Sequence, residues 1–190
     1  MKIAVLVSGG GTNLQALIDA NIQISLVISS VENAFALERA KKVNIKTITI
    51  ARKKFANISE FDNALATVLT EEKIDLVVLA GFLSILGEKV LKTYSNKIIN
   101  VHPALIPSFC GKGFYGLKVH EAVLEKGVKV TGATVHLVNE IVDGGKIISQ
   151  KAIDVLPDDT PESLQQRVMR ECEWVLLPQA VEKFCKGEIQ

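Results

Sequence analysis

The sequence predicts an α/β protein: a mostly parallel, twisted sheet with helices on both faces and a C-terminal antiparallel hairpin. Three observations carry that expectation. Short apolar, β-branched runs alternate with helical patterns up to residue 101, which implies right-handed βαβ units. These runs are apolar throughout, as strands covered on both faces are. Further on, two strand-like runs are separated only by residues 139–145, too few for a parallel crossover.

The elements follow in order. Residues 2–7 form an apolar run ending at Ser8-Gly9-Gly10-Gly11, a buried strand entering a tight loop. Residues 12–20 carry Leu14, Leu17 and Ile18 at helical spacing. A strand at 24–29, a helix at 33–43 and a strand at 46–50 continue the alternation. A helix over 59–72 places Phe61, Leu65, Val68 and Leu69 on one face, and 75–80 and 97–101 are further strands. Segment 102–117 is rich in Pro and Gly and has no periodicity; loops that long are usually functional or disordered. Its aromatic residues Phe109, Phe114 and Tyr115 argue for order. A short helix at 118–126 precedes the hairpin strands 128–138 and 146–153. The chain closes with a helix from 161 to about 184, with Asp159 or Thr160 at its N-cap and Pro161 at N1. Pro178 is expected to kink or interrupt that helix.

The 190 residues predict one domain, 1–190, large enough for a core without disulfides or metal. With 22 basic and 21 acidic side chains, the net charge of +1 provides no broad field for nucleic acid or a membrane surface. An anionic ligand must therefore be caught by local groups. Cys110, Cys172 and Cys185 are widely spaced and form no ligand cluster, which predicts reduced thiols and no zinc site. No signal-peptide core and no membrane-length apolar stretch is present, so a cytoplasmic location is expected.

Three features can carry chemistry. In Ser8-Gly9-Gly10-Gly11-Thr12-Asn13, backbone N–H groups between strand and helix can face an anion. The loop lacks the later glycine of a dinucleotide fingerprint and the Lys of a P-loop, so a single phosphate fits better than a pyrophosphate. A left-handed turn needing glycine for geometry alone is the other reading. The second feature is Asn100-Val101-His102-Pro103, at the carboxyl end of a parallel strand, where open α/β sheets place their sites. Strand alternation puts Asn100 and His102 on one side. An amide can donate to an oxyanion and an imidazole can exchange a proton, both of which acyl transfer to an amine requires. Equally, Asn100 could satisfy a turn and His102 could end a strand. The third is Asp143-Gly144-Gly145, a common hairpin turn whose carboxylate could also tune an imidazole. His136 reads as a packed strand residue, His120 as an exposed or loop-bound helix residue, and Trp174 as core.

Over nearly its whole length the chain resembles the phosphoribosylglycinamide formyltransferases. The resemblance lies in Ser8-Gly-Gly-Gly-Thr-Asn-Leu-Gln15, Leu79-Ala-Gly-Phe-Leu-Ser-Ile-Leu86, Asn100-Val-His-Pro-Ala-Leu-Ile-Pro107, Thr131-Gly-Ala-Thr-Val-His136 and Asp143-Gly-Gly145. It implies a Rossmann-like formyltransferase sheet, with phosphate-binding units in 1–100 and folate-binding loops, hairpin and closing helix in 101–190. It also implies transfer of a formyl group from 10-formyltetrahydrofolate to the amine of glycinamide ribonucleotide, without a metal. Asn100 then stabilises the oxyanion, His102 polarises the formyl oxygen and moves protons, and Asp143 tunes the histidine and shuttles a proton through water. Gly11, Thr12 and Asn13 match the phosphate loop, and Glu173 a further ribonucleotide contact. Leu83, Ser84, Ile85 and Leu86, with Asn139, Glu140, Ile141, Val142 and Asp143, match segments that enclose the pterin, partly through backbone groups.

Two departures stand out. Ile58 occupies the place of an Arg that contacts folate in some members, which leaves the folate tail to Arg52, Lys53 or Lys54. The loop after Pro107, Ser108 to Gly116, is longer than in many members. Formyltetrahydrofolate hydrolase and methionyl-tRNA formyltransferase are alternatives, each with a further domain that these 190 residues do not provide for. A non-catalytic nucleotide-binding module is a third. The expected partners are the two small molecules, the assembly a monomer or homodimer.

Overall fold

Each apolar run becomes a strand in the computed structural model, which describes residues 1–189. The order is β1 (Ile3–Val7), α1 (Thr12–Asp19), β2 (Ile24–Ser29), α2 (Phe35–Lys42), β3 (Thr47–Thr49), a 3-10 turn at Arg52–Lys54, α3 (Ile58–Glu71), β4 (Leu76–Leu79), α4 (Glu88–Thr93) and β5 (Ile98–His102). After a long loop follow α5 (Leu117–Lys126), β6 (Val130–Leu137), β7 (Ile147–Asp154), α6 (Pro161–Val168) and α7 (Trp174–Cys185). The strands form one sheet in the order β3-β2-β1-β4-β5-β6-β7. β1 runs parallel to β2 and β4, and β2 parallel to β3. β6 and β7 pair antiparallel, as the short 139–145 connection requires.

Two compact units divide the chain, Met1–Ile99 and Asn100–Gln190, so β5 begins in one and ends in the other. In the first unit, β1 and β4 are buried at every position, and so are the helix side chains of Leu14, Leu17, Phe61, Leu65 and Leu69. Each fully buried aliphatic contributes roughly 1.5–3 kcal/mol. α1 packs on α2 and α3 on α4. Connections leaving β1 run outward through β2 to β3, then return to β4 and proceed the other way. That reversal between β1 and β4 is the switch point at which open α/β sheets hold ligands. α4 leaves no clear apolar period in the sequence. It is placed by buried Asp62 of α3, whose carboxylate accepts from Gly87, Lys89 and Val90 N–H at 2.7, 2.9 and 3.3 Å.

In the second unit, β6 is buried from Thr131 to Leu137. α6 begins with a reciprocal capping box between Thr160 and Ser163, with Pro161 in its first turn. The disruption expected at Pro178 lies elsewhere. The helical ladder widens to a π turn over Met169–Glu173, and Pro178 sits inside α7. Pro178 cannot donate to the Trp174 carbonyl, four residues back and directly after the π turn, so its missing bond coincides with that junction.

Candidate active site

The glycine loop follows β1 in the first unit. Gly11 has φ 72° and ψ 34°, and it N-caps α1 without any side-chain cap. A Cβ at Gly11 would come within 2.5 Å of the Ala36 Cβ, so both the conformation and α2 demand glycine there. At Gly9 and Gly10 neither φ nor any neighbour within 4 Å makes that demand. A tight turn alone therefore does not account for three glycines. Ser8 ties the surrounding loops together. Its hydroxyl lies 2.7 Å from the Ser30 hydroxyl and accepts from Leu83 N–H at 2.9 Å. Ser8 was legible only as part of the glycine motif; its link to the segment after β4 needed the fold.

Within that segment, Leu83 and Ile85 are exposed while Leu86 is buried, so only the first two present apolar surface. Ile58 begins α3 and is 41% exposed. Nearby, the Arg52 guanidinium lies over the Phe61 ring at 5.8 Å and donates to the Phe55 carbonyl, and Lys54 pairs with Glu32.

The second unit gathers the titratable residues around Asp143. Asp143 takes φ 55° in the turn 139–145, which Asn139 closes by accepting from Ile141 N–H at 3.0 Å. The turn is tight: a Cβ at Gly145 would lie 1.8 Å from the Leu137 carbonyl. Glu140, Ile141 and Val142 are exposed on it. The Asp143 carboxylate accepts from Gly111 N–H at 2.8 Å. It also lies 3.6 Å from His102 Nδ1 and 3.6 Å from His136 Nε2. Both separations exceed a direct hydrogen bond, which leaves electrostatic coupling. The turn is thus more than a hairpin connection.

The protons on both rings follow from their partners. His102 Nε2 lies 2.8 Å from the Phe109 carbonyl, which can only accept, so Nε2 carries hydrogen and Nδ1 faces Asp143. His136 Nδ1 donates to its neighbour's carbonyl, Leu137, at 2.8 Å, which leaves Nε2 as an acceptor. Asn100 Nδ2 stands 3.1 Å from that nitrogen and donates one of its two amide hydrogens to it. The other remains for a ligand oxygen. The β6–β7 register shifts between Val135 and His136, the kind of irregularity that re-aims a strand residue beside a site. His136 is buried, as its strand position predicts, yet it also orients Asn100. A single histidine inside an apolar strand gives no local signal of that role.

Burial pushes the His102 imidazole below its ordinary pKa; the Asp143 charge and the Phe109 carbonyl push it back up without overcoming that. For Asp143, burial raises the pKa, but His136, the Gly111 N–H and His102 together hold it below the usual carboxylate value. A neutral, proton-accepting His102 beside an ionised Asp143 suits proton transfer near neutrality.

The long loop is ordered against this cluster, as its aromatics predict. Phe109 and Phe114 meet edge to face at 6.4 Å, Phe109 holds His102, and Gly111 holds Asp143. Thr134 receives Ile106 N–H and donates to the Ala104 carbonyl. His120 departs from expectation: it is fully buried on α5, and neither ring nitrogen has a partner. Burial, then the nearby His102, drives its pKa down to about 4. The amphipathic period of α5 turns His120 inward with Val119 and Val123, and residue type alone does not reveal this. Trp174 is half-buried, with an indole N–H lacking a partner. Glu173, 6% exposed, ends the π turn. Among the described residues, no group of three His, Cys, Asp or Glu is arranged to hold a metal ion, and no helix is long and apolar enough to cross a membrane.

The profile of the formyl transferase family matches residues 1–181. The phosphoribosylglycinamide formyltransferase of Haemophilus influenzae is 39% identical, over all of this chain and 89% of its own. The trifunctional purine biosynthetic protein adenosine-3 of Gallus gallus is 42% identical over all of this chain, which spans 19% of that longer protein. Glycinamide ribonucleotide transformylase 1 of Symbiobacterium toebii superposes with a TM-score of 0.92 at 38% identity, covering 98% of this chain and 88% of that one.

Proposed function

The chain belongs to the formyl transferase family, in its phosphoribosylglycinamide formyltransferase branch, and from that membership we propose that it formylates glycinamide ribonucleotide with 10-formyltetrahydrofolate. The observation that carries the reading is the convergence of Asn100, His102 and His136 with Asp143 in a polar cluster set against an ordered loop.

The roles follow from the donors. The substrate amine attacks the formyl carbon, and the carbonyl oxygen becomes an oxyanion. Asn100 spends one amide hydrogen on His136 and offers the second to that oxygen. His102 Nε2–H is the other donor, once it leaves the Phe109 carbonyl for the substrate. The attacking nitrogen must lose a proton, and the folate nitrogen must gain one as the carbon–nitrogen bond to it breaks. Asp143, ionised and 3.6 Å from His102 Nδ1, takes that proton through water and returns it to the leaving nitrogen. The formyl group moves, the proton follows, and no net charge is left behind.

The remaining assignments divide between the units. Gly11, Thr12 and Asn13 hold the phosphate with backbone N–H groups at the uncapped start of α1. Glu173, buried at the π turn, contacts the same substrate. For the folate, the segment after β4 offers Leu83 and Ile85 as exposed apolar side chains with Ser84 and Leu86 beside them, and the 139–145 turn offers Ile141 and Val142 with Asn139 and Glu140; exposed apolar groups of this kind suit an aromatic pterin. With Ile58 in place of an arginine, Arg52, Lys53 and Lys54 are the cations left for the folate's acidic tail.

The test is direct. Purified protein is mixed with both substrates, and tetrahydrofolate release is followed. Absence of turnover would sink the reading; turnover undiminished in His102→Ala would sink the residue assignment.

A further inference from the structure

The glycine loop is held from one side by α2. Ala36 N–H donates to the Gly9 carbonyl at 3.0 Å. Arg39 Nε donates to the Gly10 carbonyl at 2.8 Å, and its Nη1 to Gln15 Oε1, on α1, at 3.0 Å. The guanidinium plane is steadied by Phe35, one turn earlier, whose exposed ring centre lies 5.0 Å away. In a planar trans peptide, C=O and N–H point in opposite directions. Fixing the Gly9 and Gly10 carbonyls on α2 therefore turns the N–H groups of Gly10 and Gly11 away from α2.

We infer that Arg39 is a positioning residue for the phosphate of the ribonucleotide: it clamps the Gly10 carbonyl and Gln15 so that the loop's amides face the anion. The inference rests on the proposed reading of this loop as the phosphate site. The geometry calls for arginine specifically. Two N–H donors of one rigid plane serve acceptors on two different segments, the loop and α1, which a lysine's single ammonium on a flexible stem does not reproduce. The cation also adds positive charge beside a loop that contains none of its own.

The experiment uses the full chain with Arg39→Met and Arg39→Lys. Four quantities are measured: KM for glycinamide ribonucleotide, KM for 10-formyltetrahydrofolate, kcat, and the dissociation constant for inorganic phosphate. The expected result for Arg39→Met is a rise of about tenfold in the ribonucleotide KM and in the phosphate constant, the scale of one charge-assisted bond. The folate KM and kcat stay at wild-type values. Arg39→Lys, which keeps the charge and should fold, recovers only part of the loss. Unchanged ribonucleotide KM and phosphate affinity in both variants, or a lowered melting temperature with those constants unmoved, overturns the inference. A wild-type protein that binds phosphate but does not turn over overturns the proposed reaction, and the phosphate titration then judges Arg39 alone.

Discussion

The glycine loop after β1 and the cluster around Asp143 solve different problems with different materials. The loop offers backbone N–H groups and holds its shape through carbonyls bonded to α2 and through a glycine pressed on Ala36. The cluster offers side chains from β5, β6 and the 139–145 turn, drawn together in a largely buried setting. Under the proposed function, recognition and reaction are separated: a phosphate keeps its charge throughout, so fixed dipoles suffice, whereas a formyl transfer shifts charge and protons, so titratable groups with adjusted pKa are required.

Damage to the cluster should have the largest effect. Asn100→Ala should lower kcat by roughly 10²–10³-fold while leaving the ribonucleotide KM nearly intact, by steady-state kinetics. Asp143→Asn removes the charge that raises the His102 pKa. The same change removes the proposed proton shuttle, so kcat should fall, and the acid limb of the residual activity's pH–rate profile should move to lower pH; a shift upward contradicts the pairing.

His120 tests the cost of the buried setting. Its folded pKa is about 4 against an ordinary 6.5. The unfolded chain binds the proton more readily, so stability is full above about pH 6.5 and declines as pH falls toward about 4. The full loss amounts to about 3 kcal/mol, at roughly 1.4 kcal/mol per pKa unit. Denaturant unfolding of His120→Leu between those pH values should show a flatter profile than wild type.

A change in the loop should act on binding instead. Gly11→Ala forces a Cβ into the left-handed region and against Ala36. The ribonucleotide KM should rise by about tenfold, with a stability loss on the order of 1–3 kcal/mol and a smaller effect on kcat. The smallest effect comes from a residue outside both regions. Thr160→Ala removes one half of the α6 capping box and should lower stability by about 1 kcal/mol, read by thermal melting, with both kinetic constants unmoved.

Legibility varied with the range of the causes. Leu14, Leu17, Phe61, Leu65 and Leu69 announce their helices by spacing, and burial follows that spacing. α4 escaped because its placement depends on Asp62, a residue in another helix. Pro178 signalled a helix defect but not its position, because the ladder loosened at Met169–Glu173. Asn100 and His102 stand out at a strand end, whereas Asp143 reads locally as a turn residue, and its place beside two imidazoles comes from the fold. His136 was legible as buried, but its bond to Asn100 was not.

The alternation of strands and helices, the antiparallel hairpin, the glycine loop and the family are all readable along the chain, because periodicity, connection length and motif are local properties. Folding in three dimensions is what sets Asp143 beside two imidazoles, His136 against Asn100, His120 in the interior without a partner, and Arg39 on the glycine loop. Those contacts join residues far apart in the chain or depend on which way a side chain faces, and nothing in the spacing of the sequence encodes a distance through space.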